Sequence, residues 1–302
     1  MKTSRTLPGQ LGVNLGKGLL MGSADIVPGV SGGTVALIVG IFEDLVHSIR
    51  ALASAALALL RHGPREARRR ATEVHWRLVL PLGVGLVSAV ILGSFLLEPL
   101  LEDYPSHMRG LFFGLVAASL AVPWRRIEAV SHGHRVVLLL AAVLAALLVG
   151  LPASSYPDPT LLHVFVAAAV AICAMILPGV SGAFLLQVLG LYDVSLAAVR
   201  GADVVYIAVF ALGAAVGLGT FSKALEWLLE HRHDVTLVAL VGLMLGSLRA
   251  LWPWQDADRG LLAPPAEGST LAVLALVAAG FLIVTTVVAV GERRIERVDR
   301  TA

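Results

Sequence analysis

The segment ADIVPGVSGGT, residues 24–34, interrupts an apolar stretch near the start of the chain with one proline and three glycines. A near copy, MILPGVSGAF, occupies residues 175–184 and interrupts a second apolar stretch. Proline removes a backbone hydrogen-bond donor and glycine loosens the backbone, so both weaken the interior of a helix. We therefore predict that the two copies break two apolar helices in the same way.

The composition is that of a membrane protein. Of the 302 residues, 57% are hydrophobic and only 15% are charged, and the mean hydropathy is +0.85. Apolar runs of about 20 residues are long enough to cross a bilayer as helices. The runs do not alternate with polar residues, so they favour helices over membrane-spanning strands. The predicted fold class is an all-α polytopic membrane protein.

Eight apolar regions divide into two kinds. Six are uninterrupted and predict full membrane spans at 78–97, 108–123, 135–152, 204–222, 235–251 and 270–290. Two are longer, contain the broken motifs, and predict re-entrant helical hairpins at 11–60 and 161–199. The basic sequence between the first hairpin and the first span, 61–77, predicts a cytoplasmic loop.

The distribution of positive charge predicts the orientation in the membrane. Cytoplasmic loops carry an excess of lysine and arginine, and the loop at 61–77 contains RHGPREARRR. The N-terminal segment and the terminal ERRIERVDR are also basic, whereas EPLLEDYPSH after the first span is acidic. Every loop fits six spans and two hairpins with both termini in the cytoplasm.

The two halves of the chain form a repeat. Residues 28–32 and 178–182 are identical at an offset of 150, and later matches follow at an offset of 128. The shift places an insertion near the basic loop. Each half, 1–157 and 158–302, then holds one hairpin and three spans. Because three is odd, the halves face opposite ways across the membrane, as in the inverted-topology repeats of secondary transporters.

Each broken motif predicts a short helix that begins inside the membrane. The proline disfavours helical backbone at the residue before it, the next glycine relaxes the turn, and the serine suits an N-cap. The predicted turn residues are Pro28, Gly29, Pro178 and Gly179. A helix N-terminus presents N–H donors and a positive dipole end, so two such ends near the midplane predict one anion site. Its candidate residues are Ser31, Gly32, Gly33, Thr34, Ser181 and Gly182.

Three acidic residues are candidates for carrying a coupling ion. An acid within a membrane segment is costly and is often functional. Asp25 would oppose a phosphate unless it carried a proton or sodium ion, and a carboxylate that caps the turn is the structural alternative. Glu43 and Asp193 match in the repeat, and each either carries an ion or pairs with a neighbouring helix.

Three arginines are candidates for attracting an anionic substrate. Arg50 and Arg200 match in the repeat and lie near opposite mouths of the predicted pathway, and Arg109 begins a span on the outer side. Arginine has the geometry to pair with phosphate. Each side chain could equally extend to the membrane interface without binding substrate.

The segments GLLMGSADIVPGVSGGTVALIVGIFEDL, residues 18–45, and ILPGVSGAFLLQVLGLYD, residues 176–193, resemble the polyprenyl-phosphate transporter family of the PopT type. The resemblance covers essentially the whole chain. It implies a multi-pass protein of the bacterial plasma membrane that returns undecaprenyl phosphate from the outer to the inner leaflet. That lipid carrier is then reused for peptidoglycan and other envelope polymers. The second motif departs from the first because it reads Ser-Gly-Ala-Phe in place of Ser-Gly-Gly-Thr.

Two other functions fit part of the sequence. An ion-coupled transporter of a small soluble anion would use the same repeat. The residues at 29–33 also match G-x-S-x-G, the pattern of a serine nucleophile, but such a serine needs a neighbouring base. We expect no enzyme activity, cofactor, metal centre or nucleic-acid partner. The expected partners are undecaprenyl phosphate, membrane lipids and a coupling proton or sodium ion, and the oligomeric state is left open.

Overall fold

The computed structural model describes residues 9–26, 31–256, 259–265 and 270–299. In these ranges the chain is almost entirely helical, and the β-structure is one bridge between Gln255 and Leu261. The helices before residue 150 are α1 Gly9–Ile26, α2 Gly32–Ile38, α3 Phe42–His62, α4 Pro64–Ala71, α5 Trp76–Asp103, α6 Pro105–Ser119, α7 Ala121–Trp124 and α8 His132–Val149. The later helices are α9 Leu161–Ile176, α10 Gly182–Val188, α11 Tyr192–Arg200, α12 Val204–His231, α13 His233–Ser247 and α14 Thr270–Asp299, with a 3-10 helix at Leu248–Leu251.

Five helical stretches of the described residues are long and apolar enough to cross a membrane. They are Trp76–Gly93, His132–Val149, Val204–His231, His233–Leu251 and Thr270–Ala289. The helices α10 and α11 reach this criterion only as a pair and meet at a bend of 105°. The chain is therefore a polytopic helical membrane protein with five to six candidate spans.

The predicted span at 108–123 is not one long helix. It forms α6, which has 15 residues, and α7, which has four. The two helices are separated at Leu120. The second half changes from α13 to a 3-10 helix at the matching position, Leu248, so the interruption belongs to both halves.

The helix α13 lies at the centre of the molecule. Its stretch with the following 3-10 helix is more than half buried, whereas the other four spanning stretches are less than a quarter buried. Leu237, Leu240 and Met244 of α13 are almost fully buried in the main apolar cluster. The other long helices expose leucine and valine side chains, which suits a surface that faces lipid.

Small residues allow the principal helix pairs to pack closely. The most extensive pairs are α1 with α5, α9 with α12, α6 with α14, and α8 with α13. A β-carbon at Gly85 would collide with the carbonyl of Leu15, and one at Gly213 would collide with that of Phe165. Membrane helices associate through such close backbone contacts. The two contacts occupy matching positions of the sequence repeat.

The helices of the two halves match in length. Both α5 and α12 have 28 residues, both α6 and α13 have 15, and both α2 and α10 have seven. The largest differences are in α3, which has 21 residues where α11 has nine, and in α14, which has 30 residues where α8 has 18. The longer α3 and the extra helix α4 account for the insertion near the basic loop.

Candidate substrate-binding site

The second broken motif has the backbone that its sequence predicts. The helix α9 ends at Ile176, and Leu177, just before the proline, is extended with φ −74° and ψ 129°. Gly179 has φ +87°, a conformation that side chains rarely allow. The hydroxyl of Ser181 then caps α10 by accepting a hydrogen bond of 3.4 Å from the Phe184 amide. The predicted break and N-cap are confirmed here.

The first broken motif is described from Ser31 onward. Its predicted turn residues Pro28 and Gly29 lie outside the described residues. The Ser31 hydroxyl caps α2 and accepts a hydrogen bond of 3.2 Å from the Gly33 amide. The predicted N-cap is therefore confirmed in both motifs.

The two motifs contact each other. The Ser31 hydroxyl lies 3.3 Å from the Leu177 carbonyl oxygen and 3.4 Å from that of Met175, and it donates to one of them at a time. The Gly179 amide donates to the Thr34 hydroxyl over 3.0 Å. These bonds satisfy backbone groups that the helix breaks expose inside the protein. The breaks thus hold each other in place although they are about 150 residues apart in sequence.

A cavity of about 180 Å³ lies beside the paired breaks. Its polar side chains are Asp25, Ser31 and Ser181, and the backbone of Gly182 also lines it. The remaining lining is apolar: Ala168, Ala171, Ile172, Met175, Val180, Ala183, Leu186, Phe210 and Ala214. Three predicted anion-binding residues therefore meet in one cavity, together with the predicted ion carrier Asp25.

Asp25 caps the first turn of α2. Its Oδ1 accepts a hydrogen bond of 2.6 Å from the Gly32 amide. This geometry is the turn-capping arrangement that the sequence left open. It also means that the Gly32 amide, one of the groups predicted to donate a hydrogen bond to the anion, already donates to a carboxyl group of the protein.

The remaining predicted anion-binding residues of the first motif are also bonded within the protein. The Gly33 amide donates to Ser31, and the Thr34 hydroxyl accepts from Gly179. Both are buried and neither lines the cavity. The part of the first motif that lines the cavity is thus the Ser31 hydroxyl and the Asp25 carboxylate.

The repeat is broken at the position that corresponds to Asp25. Met175 occupies this position in the second half, and its side chain lies where a β-carbon at Gly182 would be. In the first half the same space beside Gly32 holds the Asp25 carboxylate. The cavity therefore contains one acidic side chain and no basic one among its described lining residues.

The predicted arginines do not line this cavity. Arg50 forms salt bridges with Glu226 at 2.5 Å and with Glu73 at 3.6 Å. Arg200 is exposed at the last residue of α11, and Arg109 is half-buried in α6. The structure therefore separates the three arginines from the paired breaks.

The other two acidic candidates also lie outside the cavity. Glu43 is 3.4 Å from Arg126, which lies in the turn after α7. Asp193 is exposed in the first turn of α11. Of the three candidates for the coupling ion, Asp25 alone borders the cavity.

A second cavity, of about 440 Å³, lies between α3 and α12. His47 on one side is 2.7 Å from Glu226 on the other, and its ring stacks on that of His75 at 5.3 Å. The sequence analysis did not anticipate this cluster. His47 and Glu226 are separated by 179 positions. The repeat matches of Glu43, which lines this cavity, and of Arg50, which pairs with Glu226, pointed toward this region.

The structure gives no support for a serine nucleophile or a metal centre in its described part. The hydrogen bonds of the Ser31 hydroxyl go to two carbonyl oxygens and one amide, and none goes to a base. No three side chains of histidine, cysteine, aspartate or glutamate among the described residues are grouped so that they could hold a metal ion.

The apolar helices and the cavity between two broken helices define a multi-pass helical membrane protein. Residues 21–267 match the family described as VCA0040-like, undecaprenyl phosphate translocase-like, and the chain belongs to this family.

Two curated relatives carry the same name. The polyprenyl-phosphate transporter of Vibrio cholerae serotype O1 is 37% identical over 240 residues, which cover 80% of this chain and 77% of the relative. The polyprenyl-phosphate transporter of Staphylococcus aureus is 28% identical over 260 residues, covering 80% of this chain and 86% of the relative. No solved structure matches the chain.

Proposed function

We propose that the protein translocates undecaprenyl phosphate from the outer to the inner leaflet of the bacterial plasma membrane. The returned lipid carrier would then serve peptidoglycan and other envelope polymers. The family match over residues 21–267 and the names of the two relatives support the substrate class. The observation that carries the proposal is the cavity at which both PGVSG motifs contribute serine side chains.

The proposed architecture is an inverted-topology repeat with two re-entrant hairpins and both termini in the cytoplasm. Its support is the pattern of helix pairs. The helix α6 of the first half packs on α14 of the second, and its counterpart α13 packs on α8. A two-fold axis in the membrane plane would convert one pair into the other. The proposed boundary at 157 and 158 falls in the irregular segment between α8 and α9.

The proposed head-group site is centred on the second break. The Ser181 hydroxyl and the Gly182 amide border the cavity, and the space beside Gly182 holds Met175, where the first half has the Asp25 carboxylate. Ser31 lines the same cavity. The prenyl tail stays among lipid-facing apolar side chains, so the protein needs to provide a polar path for the phosphate alone.

Asp25 is the proposed carrier of a coupling proton or sodium ion. An ionised Asp25 would repel a phosphate in the same cavity, because two like charges in a low dielectric interact strongly. A cation bound to the carboxylate removes that repulsion. Binding of the phosphate and binding of the cation would then favour each other, which is the coupling that a transporter requires.

A leaflet-translocation assay tests the proposal. Purified protein in liposomes receives undecaprenyl phosphate in one leaflet, and the accessibility of the head group is followed over time. We expect wild type to move the lipid and the double variant Ser31→Ala, Ser181→Ala to move it at least about tenfold more slowly, because two hydroxyl contacts are lost.

Ser119→Ala is the matched control for this assay. Ser119 is as buried as Ser31, but its hydroxyl donates within its own helix to the Val116 carbonyl over 2.6 Å. The control should retain the wild-type rate. If wild type moves no lipid under a proton or sodium gradient but takes up inorganic phosphate, the proposal fails in favour of a soluble-anion transporter.

A further inference from the structure

The loop between α13 and α14 places Arg259 next to the short helix α10 of the second broken motif. Arg259 has φ +64°, an uncommon conformation for a residue with a side chain. The turn is held by a hydrogen bond of 2.6 Å from the Gly260 amide to the Asp256 carboxylate and by the bridge between Gln255 and Leu261. The loop thus fixes the direction in which the Arg259 side chain leaves the backbone.

The side chain of Arg259 reaches α10, the short helix of the second broken motif. Its guanidinium lies over the ring of Phe184, 4.3 Å from the centroid. One Nη donates to the Gln187 side-chain oxygen over 2.9 Å, and the other donates to the Leu151 carbonyl over 2.8 Å. Gln187 is six residues after Ser181, which corresponds to about 9 Å along a helix. Arg259 therefore lies close to the proposed head-group site.

The charge of Arg259 is not balanced by a carboxylate. All three partners are neutral, and no salt bridge joins its guanidinium to an acid within the described ranges. A guanidinium has five N–H donors, and two of them are used here. Three donors and a full positive charge remain for a ligand.

A second cation lies nearby. Arg109 is half-buried in α6, four residues before Phe113, whose ring is 6.0 Å from that of Trp252 at the start of the same loop. Burial and the positive charge of Arg109 lower the pKa of Arg259. Arg109 forms no hydrogen bond or salt bridge with the described residues. Two neighbouring arginines that form no salt bridge with an acid among the described residues repel each other, and a bound anion would relieve this repulsion.

We propose that Arg259 and Arg109 form a first recognition site for the phosphate monoester head group of the lipid, at the end of α10 that lies next to the α13–α14 loop. A phosphate monoester carries up to two negative charges, and arginine binds phosphate oxygens in pairs. In the proposed topology this loop is on the outer side, where the lipid is captured. The head group then needs to move about 9 Å along α10 to reach Ser181. This inference rests on the proposed function.

The first half has an arginine in a place similar to that of Arg259, but its charge is paired. Arg126 also comes from the loop after the corresponding helices, and its guanidinium also approaches the end of the short helix, next to Gly40. Arg126, however, lies 3.4 Å from the carboxylate of Glu43. Its charge is already paired, so Arg126→Gln is the matched control for Arg259→Gln.

The test measures translocation in liposomes as a function of the mole fraction of undecaprenyl phosphate. We expect Arg259→Gln and Arg109→Gln each to raise the half-saturating mole fraction about tenfold and to change the maximal rate less than about twofold. Arg126→Gln should leave the half-saturating value unchanged. Arg259→Lys should lie between wild type and Arg259→Gln, because it keeps the charge but loses the paired geometry.

Other outcomes overturn the inference. An unchanged half-saturating value with a lower maximal rate would mean that Arg259 only fastens the loop to α10. Inhibition by millimolar inorganic phosphate that is equal in wild type and Arg259→Gln would place anion capture elsewhere. If Arg259→Gln does not fold, Arg109→Gln decides the question, because it removes no bond within the described residues. Failure of wild type to move the lipid would instead refute the proposed function itself.

Discussion

The two helix breaks share a sequence, an N-capping serine and a common cavity, but they differ in what fills the first turn of the following helix. In the first break the Asp25 carboxylate accepts a hydrogen bond from the Gly32 amide. In the second break the corresponding space holds the side chain of Met175. The first break thus has a carboxyl group of the protein at its first turn, and the second break has an apolar side chain there. The comparison suggests that a repeat can be retained for its shape while its two copies take different chemical roles.

Making the second break resemble the first should have the largest effect. We expect Met175→Asp to reduce translocation at least about a hundredfold, because a second carboxylate would repel the phosphate inside the cavity. Met175→Leu, which keeps volume and apolarity, should stay near the wild-type rate. The liposome assay measures both variants. A Met175→Asp variant that folds and still transports at half the wild-type rate would contradict a head-group site at the second break.

Removing the acid from the first break tests the other side of the comparison. Asp25→Asn keeps an oxygen that can accept the Gly32 amide but loses the charge, so we expect it to fold and to transport at least about tenfold more slowly without response to an ion gradient. Asp25→Ala should also lower the free energy of unfolding by about 1–3 kcal/mol, because the Gly32 amide loses its partner. Thermal melts separate the two effects. An Asp25→Asn variant that keeps its gradient response would eliminate Asp25 as the ion carrier.

The scaffold around the two breaks is expected to respond alike in both halves. Gly85→Ala and Gly213→Ala should each cost about 1–3 kcal/mol, because the added methyl group collides with a backbone carbonyl of the adjacent helix. Gly83 has open space around its α-carbon. Gly83→Ala should therefore be neutral or stabilise α5 by up to about 1 kcal/mol. Unfolding in mild detergent compares the three variants, and a large difference between Gly85 and Gly213 would refute the structural equivalence of the halves.

The smallest effect is expected in α4, which has no counterpart in the second half. Hydrogen bonds from Arg69 and Arg70 lower the pKa of Glu66, a partly exposed residue. A depressed pKa means that any stabilisation is present above the ordinary pKa of glutamate and is lost as the pH falls through the lowered value. Because solvent screens these charges, Glu66→Gln should leave the melting temperature at neutral pH within experimental error. A clear decrease would assign α4 a packing role.

Local chemistry made much of the fold predictable. The extended Leu177, the left-handed Gly179 and the capping serines follow from the preferences of proline, glycine and serine within a few residues. Five of the six predicted spans correspond to long apolar helices, since apolar length alone decides this property. The exception is the span predicted at 108–123, where the structure has the two shorter helices α6 and α7.

The partners of the charged side chains could not be predicted from the sequence. Arg50 was a candidate for phosphate, but it pairs with Glu226, which is 176 positions later. Arg259 was not singled out, because nothing in its own segment indicates a contact with Phe184. Such contacts depend on how helices pack, and a single sequence holds no record of that packing.

The packing of α6 on α14, a helix of the other half, also determines when α6 can make its contacts during biosynthesis. The close contact of α6 requires α14, whose first residue is made 151 residues after the last residue of α6. At about 5–20 residues per second, ribosomes need about 8–30 s to span this gap. During that time the glycine-bearing face of α6 lacks its partner helix. The packing of the first half is therefore completed only after the second half has been made.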